Sequence, residues 1–243
     1  QTEVTMMSNY LTKLHNFKIR SFIPSNRMVI RDNFVYTVYS FSESMYRAFG
    51  SLVWNQSMSN LTEISIDNSN YGNALILSAM SDPSGYLWGH QSGGGTYNNM
   101  DSGSGQVLAT SNFASTDCNI VFNTMFGSYF GNWDKEFHTD NLLRAPLASG
   151  KCLTNCWVGQ PAWHFHHMGM GDPIGYSTVV SMNNRTSNAL YQPQNNGWLG
   201  QGYTTIHLGL MGDPSLRMVY VNRPTNFEIN ISSGYNFSWS AAS

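Results

Sequence analysis

Two polar residues that could do chemistry follow apolar runs of the sequence. His90 ends the run Gly-Tyr-Leu-Trp-Gly-His, and Ser128 follows the run Ile-Val-Phe-Asn-Thr-Met-Phe-Gly. Imidazole is a general base near neutral pH, and a serine hydroxyl becomes a nucleophile when a base takes its proton. Such runs are typical of buried strands, and open α/β sheets collect functional groups at the carboxyl ends of their strands. We therefore expect both residues at strand ends.

Cys156 is a rival nucleophile, because a thiol ionises more readily than a hydroxyl. It ends the strand-like residues 153–156 and precedes three histidines, at positions 164, 166 and 167. A buried cysteine packs as a small apolar residue, and this second interpretation is the favoured one for Cys156. The chain has three cysteines, so at most one disulfide can form, and Cys152 could pair with Cys156. Cys118 stands at a predicted strand start and is interpreted as structural.

The histidine cluster raises the question of a metal. His164 and His167 would share a helix face, but the H-E-x-x-H pattern with its general-base glutamate is absent. Asp172 and Asp213 stand in Gly-Asp-Pro turns, and two isolated carboxylates are too few ligands for a calcium site. The glycines at 93–95 lack the Lys-Ser/Thr of a phosphate-binding loop. The sequence therefore predicts no cofactor and no metal, with structural calcium left open.

The composition bounds the class of protein. The chain has 243 residues, 41% of them hydrophobic, which is enough for one sizeable core and an appendage. Only 11% are charged and the net charge is −2, so no nucleic-acid partner is expected, because phosphate binding needs clustered Lys and Arg. No run approaches the roughly 18 apolar residues of a membrane span. Abundant neutral polar residues favour a secreted, extracellular or cell-surface location.

Apolar runs alternate with segments of helical period along the chain. Strands are predicted over residues 27–31, 61–67, 85–90, 119–126, 153–158 and 216–222. Helices or helical turns are predicted over residues 3–17, 41–54, 74–80, 141–148 and 162–170. This alternation predicts α/β layers over a mainly parallel sheet.

The tail has a different pattern. From Pro224 apolar and polar residues alternate, with a turn at Ser233 and Gly234 and a tryptophan at position 239. This pattern is similar to the first strands of an immunoglobulin-like or fibronectin-III-like module. Two strands are not stable alone, so we expect the module to continue beyond them.

Three phrases together resemble the gingipain-type cysteine peptidases of the caspase clan. They are the strand end Gly89-His90, the run VFNTMFGSYFGNWD at 121–134 and the run LMGDPSLRMVYV at 210–221. The resemblance covers about residues 1–222. It implies a caspase-like three-layer sandwich with a mainly parallel sheet, whose first strands lie upstream of Gln1. Residues 223–243 would begin the immunoglobulin-like module, with further domains of the same polypeptide upstream and downstream.

The resemblance also implies roles for individual residues. With Gly131 on the motif's glycine, Ser128 falls on the nucleophilic cysteine and Gly127 on the preceding alanine. His90, 38 residues earlier, would be the base, although Gln91 stands where the family has glycine. Backbone N–H groups at and near Gly127 would form the oxyanion hole. A serine hydroxyl is far less acidic than a thiol, so a site adapted to cysteine should lose most of its activity with serine.

The favoured hypothesis is a degenerate gingipain-like peptidase domain of a larger secreted or cell-surface protein. It would serve as a structural or binding module with a peptide or surface-protein partner. One alternative is an active secreted endopeptidase that uses Ser128 with His90, or Cys156. Another is a carbohydrate- or surface-adhesion module that uses exposed aromatic side chains. The sequence leaves open whether the chain is an enzyme, which substrate side chain it would prefer and its oligomeric state.

Overall fold

The computed structural model describes residues 2–33, 61–65, 73–101, 107–134, 137–158, 163–183, 208–218, 225–230, 234 and 236–240. The helices are α1 (Glu3–Lys18), α2 (Asn73–Met80), α3 (Asn112–Ser115), α4 (His166–Gly169) and α5 (Ile174–Asn183), with a 3-10 helix at Ala145–Ala148. The strands are β1 (Met28–Asp32), β2 (Leu61–Ser65), β3 (Tyr86–Ser92), β4 (Asn99–Asp101), β5 (Val107–Ala109), β6 (Ile120–Phe126), β7 (Thr154–Val158), β8 (Leu208–Gly212), β9 (Thr225–Asn230) and β10 (Asn236–Ser240).

A six-stranded sheet of order β2-β1-β3-β6-β7-β8 forms the centre of the described residues. Its strands run parallel from β2 to β7, and β8 runs antiparallel to β7. Parallel neighbours need crossover connections, and α2 and α3 lie in the connections that lead to β3 and β6. The predicted α/β class with a mostly parallel sheet is confirmed, and the architecture is consistent with a caspase-like fold.

Apolar side chains leave the sheet on both faces, because helices cover each of them. Alternate residues of a strand point to opposite faces. On β1, Met28 and Ile30 belong to the apolar cluster that includes Phe17 of α1. Val29 belongs to the other cluster, which includes Phe113 of α3. This division produces three layers, with the sheet in the middle.

Helix α1 packs on the sheet with a face that the spacing of its apolar residues indicates only in part. Of the residues that produce the helical period, Leu14 packs against the core, while Val4, Met7 and Leu11 are exposed. The buried side carries Phe17 and the half-buried Tyr10. The Tyr10 hydroxyl donates to a carbonyl oxygen of the chain before β7 (3.0 Å), and burial raises its pKa to about 12. Both a polar anchor and an apolar contact therefore attach the helix.

Several elements differ from the sequence prediction. Residues 141–148 form a helix only at Ala145–Ala148, since Pro146 disfavours the α conformation at the residue before it. Helix α5 was not predicted, because its glycine, serine and β-branched residues are poor helix formers. Of residues 216–222 the structure describes 216–218, which form only an isolated bridge to Pro173. The helix predicted at 41–54 lies outside the described residues.

The alternating tail forms a hairpin. β9 and β10 pair antiparallel, with Phe237 opposite Ile229. Both side chains are exposed. The strand prediction for the tail is confirmed, while a hairpin alone does not distinguish an immunoglobulin-like module from other β structures. None of the helices in the described residues is long and apolar enough to cross a membrane.

A ladder of buried amides crosses the central strands on one face. Gln91 Nε2 donates to Asn123 Oδ1 (3.4 Å), and Asn123 Nδ2 donates to Asn155 Oδ1 (3.0 Å). Asn155 Nδ2 in turn donates to the carbonyl oxygens of Leu142 and Leu143 (3.1 Å each). All three amide side chains are fully buried. The ladder therefore ties β3, β6 and β7 to the chain that precedes the 3-10 helix.

The substitution Asn123→Ala should lower the free energy of unfolding by about 2–4 kcal/mol, because it leaves buried amide groups of Gln91 and Asn155 without a partner. Urea denaturation followed by tryptophan fluorescence measures this. Asn9→Ala on the exposed side of α1 is the matched control, with an expected change of at most about 0.5 kcal/mol. Equal effects of the two substitutions would contradict a structural role for the ladder.

Candidate functional site

The carboxyl ends of the parallel strands meet at one edge of the sheet. β1 ends at Asp32, β3 ends at Ser92 and β6 ends at Phe126. The last register pairs place Asp32 beside Ser92 and Ser92 beside Phe126. Ser128 follows β6 in a turn and is exposed. This edge is therefore the place where the predicted site would have to be assembled.

His90 lies inside β3 and not at its end, because the strand continues through two more residues to Ser92. Its side chain is 0% exposed and stands opposite Thr124 of β6. His90 Nδ1 lies 3.0 Å from Thr124 Oγ1, and that hydroxyl donates its proton to the Gly89 carbonyl (2.9 Å). The hydroxyl therefore accepts from Nδ1, which places the proton of the neutral ring on Nδ1. Nε2 is buried and has no hydrogen-bond partner.

Burial lowers the pKa of His90 to about 4, while the nearby Asp32 carboxylate acts in the opposite direction. The imidazole is therefore neutral at neutral pH. Asp32 also accepts a hydrogen bond from the Ser92 hydroxyl (2.7 Å), and both of these side chains are buried. His90, Ser92 and Asp32 form a polar cluster beneath the edge of the sheet.

The structure does not bring His90 and Ser128 together. His90 lies on β3 and pairs with Thr124 of the adjacent parallel strand β6, but Ser128 comes four residues after Thr124, in the turn that follows β6. Each residue of a parallel strand advances about 3.3 Å, so the two side chains stand at different heights in the sheet. A general base must approach its proton donor to about 2.6–3.2 Å. His90 Nδ1 contacts Thr124 and Nε2 has no hydrogen-bond partner, so no direct hydrogen bond joins His90 to Ser128. Contact between the two side chains through one water stays a prediction.

The chain beside Ser128 on the β3 side is a glycine loop, residues 93–95, which offers no side chain to accept a proton. Gly93 N–H donates to the Phe126 carbonyl (3.0 Å), so the two chains remain paired past the strand ends. Gly127 is buried at this close approach, where a Cβ would lie 2.7 Å from the Gly93 oxygen and would also contact the Phe130 ring. The Gly127 carbonyl accepts a hydrogen bond from the indole N–H of Trp157 (2.9 Å). Gly127 therefore has a clear packing role.

Cys156 lies inside β7, opposite Thr124, and is fully buried. Burial raises the pKa of its thiol, which disfavours the thiolate that a nucleophile needs. Its position is that of a small core residue.

The histidines near α4 contact one another. The rings of His166 and His167 have centroids 4.3 Å apart, and His167 Nδ1 lies 3.9 Å from a carboxylate oxygen of Asp172. Burial, together with His166 and His167, lowers the pKa of His164 to about 4. Within the described ranges, no group of three or more His, Cys, Asp or Glu side chains could hold a metal ion.

A loop after β6 carries aromatic side chains into solvent. We call residues 128–141 the aromatic loop, of which 135 and 136 lie outside the described residues. Tyr129 is 65% exposed, Trp133 49% and Phe137 93%. Tyr129 and Phe137 adopt left-handed backbone conformations with φ of 65° and 62°, which bulky residues rarely do. By contrast, Trp88 and Trp163 are buried in the core.

The aromatic loop is anchored at its base by Asn141. This buried side chain donates to the carbonyl oxygens of Tyr97 (3.1 Å), Phe130 (3.1 Å) and Asn132 (3.3 Å). Nearby, the Tyr97 hydroxyl lies 2.7 Å from His138 Nδ1. The loop after β3 and the aromatic loop are therefore joined at the same edge of the sheet.

Sequence reasoning missed Asp32, Ser92, Tyr97, His138 and Asn141. Ser92 carries no local signal of a strand, because Gln91 and Ser92 are polar and precede three glycines. Asp32 directly follows the strand predicted at residues 27–31. The contacts of Tyr97, His138 and Asn141 join chain segments about 40 residues apart, and local pattern does not report them.

No protein-family model matches the chain, and none of the curated proteins matches it. A solved structure described as "Structure of Protease" matches with a TM-score of 0.51 and 10% sequence identity over 94% of this chain. The chain spans 56% of the length of that protein's chain. At this identity the likeness concerns the fold alone. The chain therefore has a protease-like α/β fold.

The pKa of His90 predicts a loss of stability in acid. The unfolded imidazole has an ordinary pKa of about 6.5 and the folded one about 4, so the folded state disfavours the proton. The neutral ring makes its full contribution to the free energy of unfolding above pH 6.5. This contribution falls by on the order of 3 kcal/mol as the pH decreases toward 4. Urea denaturation at successive pH values should show this slope in the wild type and a reduced slope in His90→Asn.

The matched control for this slope is His15→Asn on the exposed side of α1. It should retain the wild-type dependence on pH. If His90→Asn and the wild type lost stability equally between pH 6.5 and 4, the described burial of His90 would be wrong.

Proposed function

We propose that this chain is a protease-like domain without a working Ser128–His90 pair, and that it acts as a binding module. The observation that carries the proposal is the register of β3 and β6, which sets His90 opposite Thr124. Ser128 is left beside a glycine loop. A serine hydroxyl does not become a nucleophile without a base at hydrogen-bond distance.

The state of His90 supports the same conclusion. Its Nδ1 proton is held by Thr124, and its ring is sealed from solvent. A base that cycles its proton during acyl transfer must reach both the nucleophile and the leaving group. Cys156 is likewise unable to reach a substrate, since its thiol is buried within β7. Among the described residues, Ser128 is exposed but has no hydrogen bond to His90, and Cys156 is buried away from any substrate.

The aromatic loop is the surface we assign to binding. Exposed aromatic side chains contribute large contact areas at a low cost in conformational entropy, and they are enriched where proteins bind partners. The left-handed backbone at Tyr129 and Phe137 costs free energy, and such strain is concentrated at functional sites. We infer a peptide or surface-protein partner. A carbohydrate partner is the second candidate, because exposed Tyr129 and Trp133 are also suited to stacking on sugar rings.

The proposal also includes the family of the chain, the type of module after residue 222 and the location of the protein. The three phrases described from the sequence support a gingipain-like ancestry with serine at the position of the nucleophilic cysteine. The hairpin of β9 and β10 supports an immunoglobulin-like or fibronectin-III-like module after residue 222. The low content of charged residues, 11%, supports a secreted or cell-surface location within a larger polypeptide.

Peptide-library cleavage followed by mass spectrometry tests the catalytic half of the proposal. The wild type should release no more products than Ser128→Ala or Cys156→Ala, because neither side chain has an activating base. Cleavage by the wild type that Ser128→Ala removes would contradict the proposal and show a serine peptidase. Cleavage removed only by Cys156→Ala would make Cys156 the nucleophile.

Binding to peptide and glycan arrays tests the other half. The triple variant Tyr129→Asn, Trp133→Ser and Phe137→Asn should lose about tenfold or more in affinity, since asparagine accepts the left-handed backbone while the aromatic contacts are removed. The matched control replaces Val4, Met7 and Leu11 with serine, because these side chains are similarly exposed on α1. Binding confined to glycans would favour the second candidate. Equal binding by both variants, or none by the wild type, would contradict the assigned surface.

A further inference from the structure

Three histidine rings follow one another on the α4–α5 segment, the name we give to residues 163–183. The ring centroids of His164 and His166 are 6.1 Å apart, and those of His166 and His167 are 4.3 Å apart. The His167 ring also meets the Tyr176 ring of α5, with centroids 4.9 Å apart. Positive charges at such separations repel each other, and burial strengthens the repulsion. The row is therefore compatible with neutral imidazoles and is destabilised by imidazolium groups.

The described residues bring two charged groups to this row. The Asp172 carboxylate, in the turn before α5, lies 3.9 Å from His167 Nδ1. Arg217, in the chain after β8, donates from its guanidinium to the Gly171 carbonyl of the same turn. From α5 itself, the His167 ring meets the phenol of Tyr176, which adds no carboxylate. One carboxylate balances one imidazolium and the guanidinium adds a positive charge, so protonation of the three rings leaves an excess of positive charge.

The positions of the rings disfavour the uptake of protons. Burial, followed by the charges of His166 and His167, lowers the pKa of His164 to about 4. Burial and His167 also lower the pKa of His166. An imidazole in an unfolded chain has a pKa of about 6.5. Because the open form binds protons more readily, the closed segment has its full stability above about pH 6.5 and loses stability as the pH falls toward 4.

Apolar burial opposes the opening of the segment. Its side chains Trp163, Phe165, Met168 and Ile174 are buried and belong to the apolar cluster on this face of the sheet. The Phe165 ring contacts the Trp163 ring and the Trp88 ring of β3, at centroid distances of 5.0 Å and 4.8 Å. These contacts close the segment at neutral pH, and charge on the histidines acts against them.

The helices of the segment contribute little stability of their own. α4 has four residues and α5 has ten, and neither end of α5 carries a charged residue that would favour the helix dipole. On the buried side of α5 the Ser177 hydroxyl has no hydrogen-bond partner, which is unfavourable. Ser181 accepts from the His164 N–H (2.8 Å), so the histidine row and α5 are joined. A unit of this kind can open while the rest of the fold persists.

We propose that the α4–α5 segment is an acid-released cover, which separates from the sheet when its histidines take up protons and leaves the six-stranded sheet folded. Opening exposes Trp88, which contacts Phe165 in the closed form and stacks on Phe122. Acid thus creates an apolar surface that is covered at neutral pH. The inference rests on the histidine row and not on the proposed binding function.

Hydrogen–deuterium exchange with mass spectrometry at pH 7 and pH 4.5, corrected for intrinsic exchange rates, tests the proposal on the wild-type chain. Protection of the amides in residues 163–183 should fall on the order of 50-fold in acid, the change expected for one group with the closed and open pKa values given for His164. Peptides from β6 should remain the more protected. Loss of protection to a common value in the segment and in β6 would show global unfolding and overturn the proposal, and so would an unchanged segment.

Substitutions identify the groups that respond. His164→Asn combined with His166→Asn should reduce the acid effect on the segment to less than about fivefold, because asparagine does not take up a proton. His15→Asn on the exposed side of α1 is the matched control and should keep the wild-type response. Far-UV circular dichroism at pH 7 checks that each variant is folded, and the wild-type comparison decides if the double variant is not. A folded double variant with the full wild-type response would contradict the role of the histidine row.

Discussion

Backbone pairing between β3 and β6 determines the height of every side chain at the centre of the sheet. The register is specified by packing on both faces, where Trp88 stacks on Phe122 with ring centroids 5.0 Å apart. A register shift of one residue would move every side chain of the shifted strand to the opposite face of the sheet. A shift of two residues would separate the Trp88 and Phe122 rings. Bringing His90 level with Ser128 would need a slip of four residues. The arrangement of the candidate site therefore follows from the core and not from the loops.

Several polar groups inside this sheet form hydrogen bonds with one another, although His90 Nε2 and Gln91 Oε1 have no partner. On one face the Gln91, Asn123 and Asn155 amides form a ladder, and on the other Asp32 accepts from Ser92. Each of these bonds joins neighbouring strands, so all of them form together only in one register. Such networks contribute specificity of pairing, which gives a structural reason for polar residues in an otherwise apolar sheet. A catalytic role is not needed to account for them.

Strands β1, β2, β3, β6 and β7 and helices α1, α2 and α4 could be predicted because their residues carry a local periodic signal. The end of β3 could not, because Gln91 and Ser92 precede three glycines and resemble a loop until Asn123 and Asp32 are known as their partners. The buried side of α1 was indicated only in part, since Leu14 packs on the core while Val4, Met7 and Leu11 of the same apolar spacing are exposed. Long-range contacts decide all of these features, and sequence periodicity reports only local ones.

The proximity of cysteines illustrates the same limit. Cys152 and Cys156 are neighbours in sequence, but they belong to apolar clusters on different faces of the sheet, whereas Cys118 shares the cluster of Cys152 from 34 residues away. The same limit applies to the candidate site. The sequence shows a serine at position 128, but the distance between Ser128 and His90 is determined by the register of β3 and β6.

Long-range ¹H–¹⁵N NMR of the histidine imidazoles tests the central claim most directly. The account predicts that His90 at pH 7 is a neutral ring with its proton on Nδ1, that the ring does not titrate above pH 5, and that Ser128→Ala leaves its signals unchanged. A His90 ring that titrates near pH 6.5 would contradict its burial, and signals that shift on Ser128→Ala would place the two side chains together; either result would contradict the account.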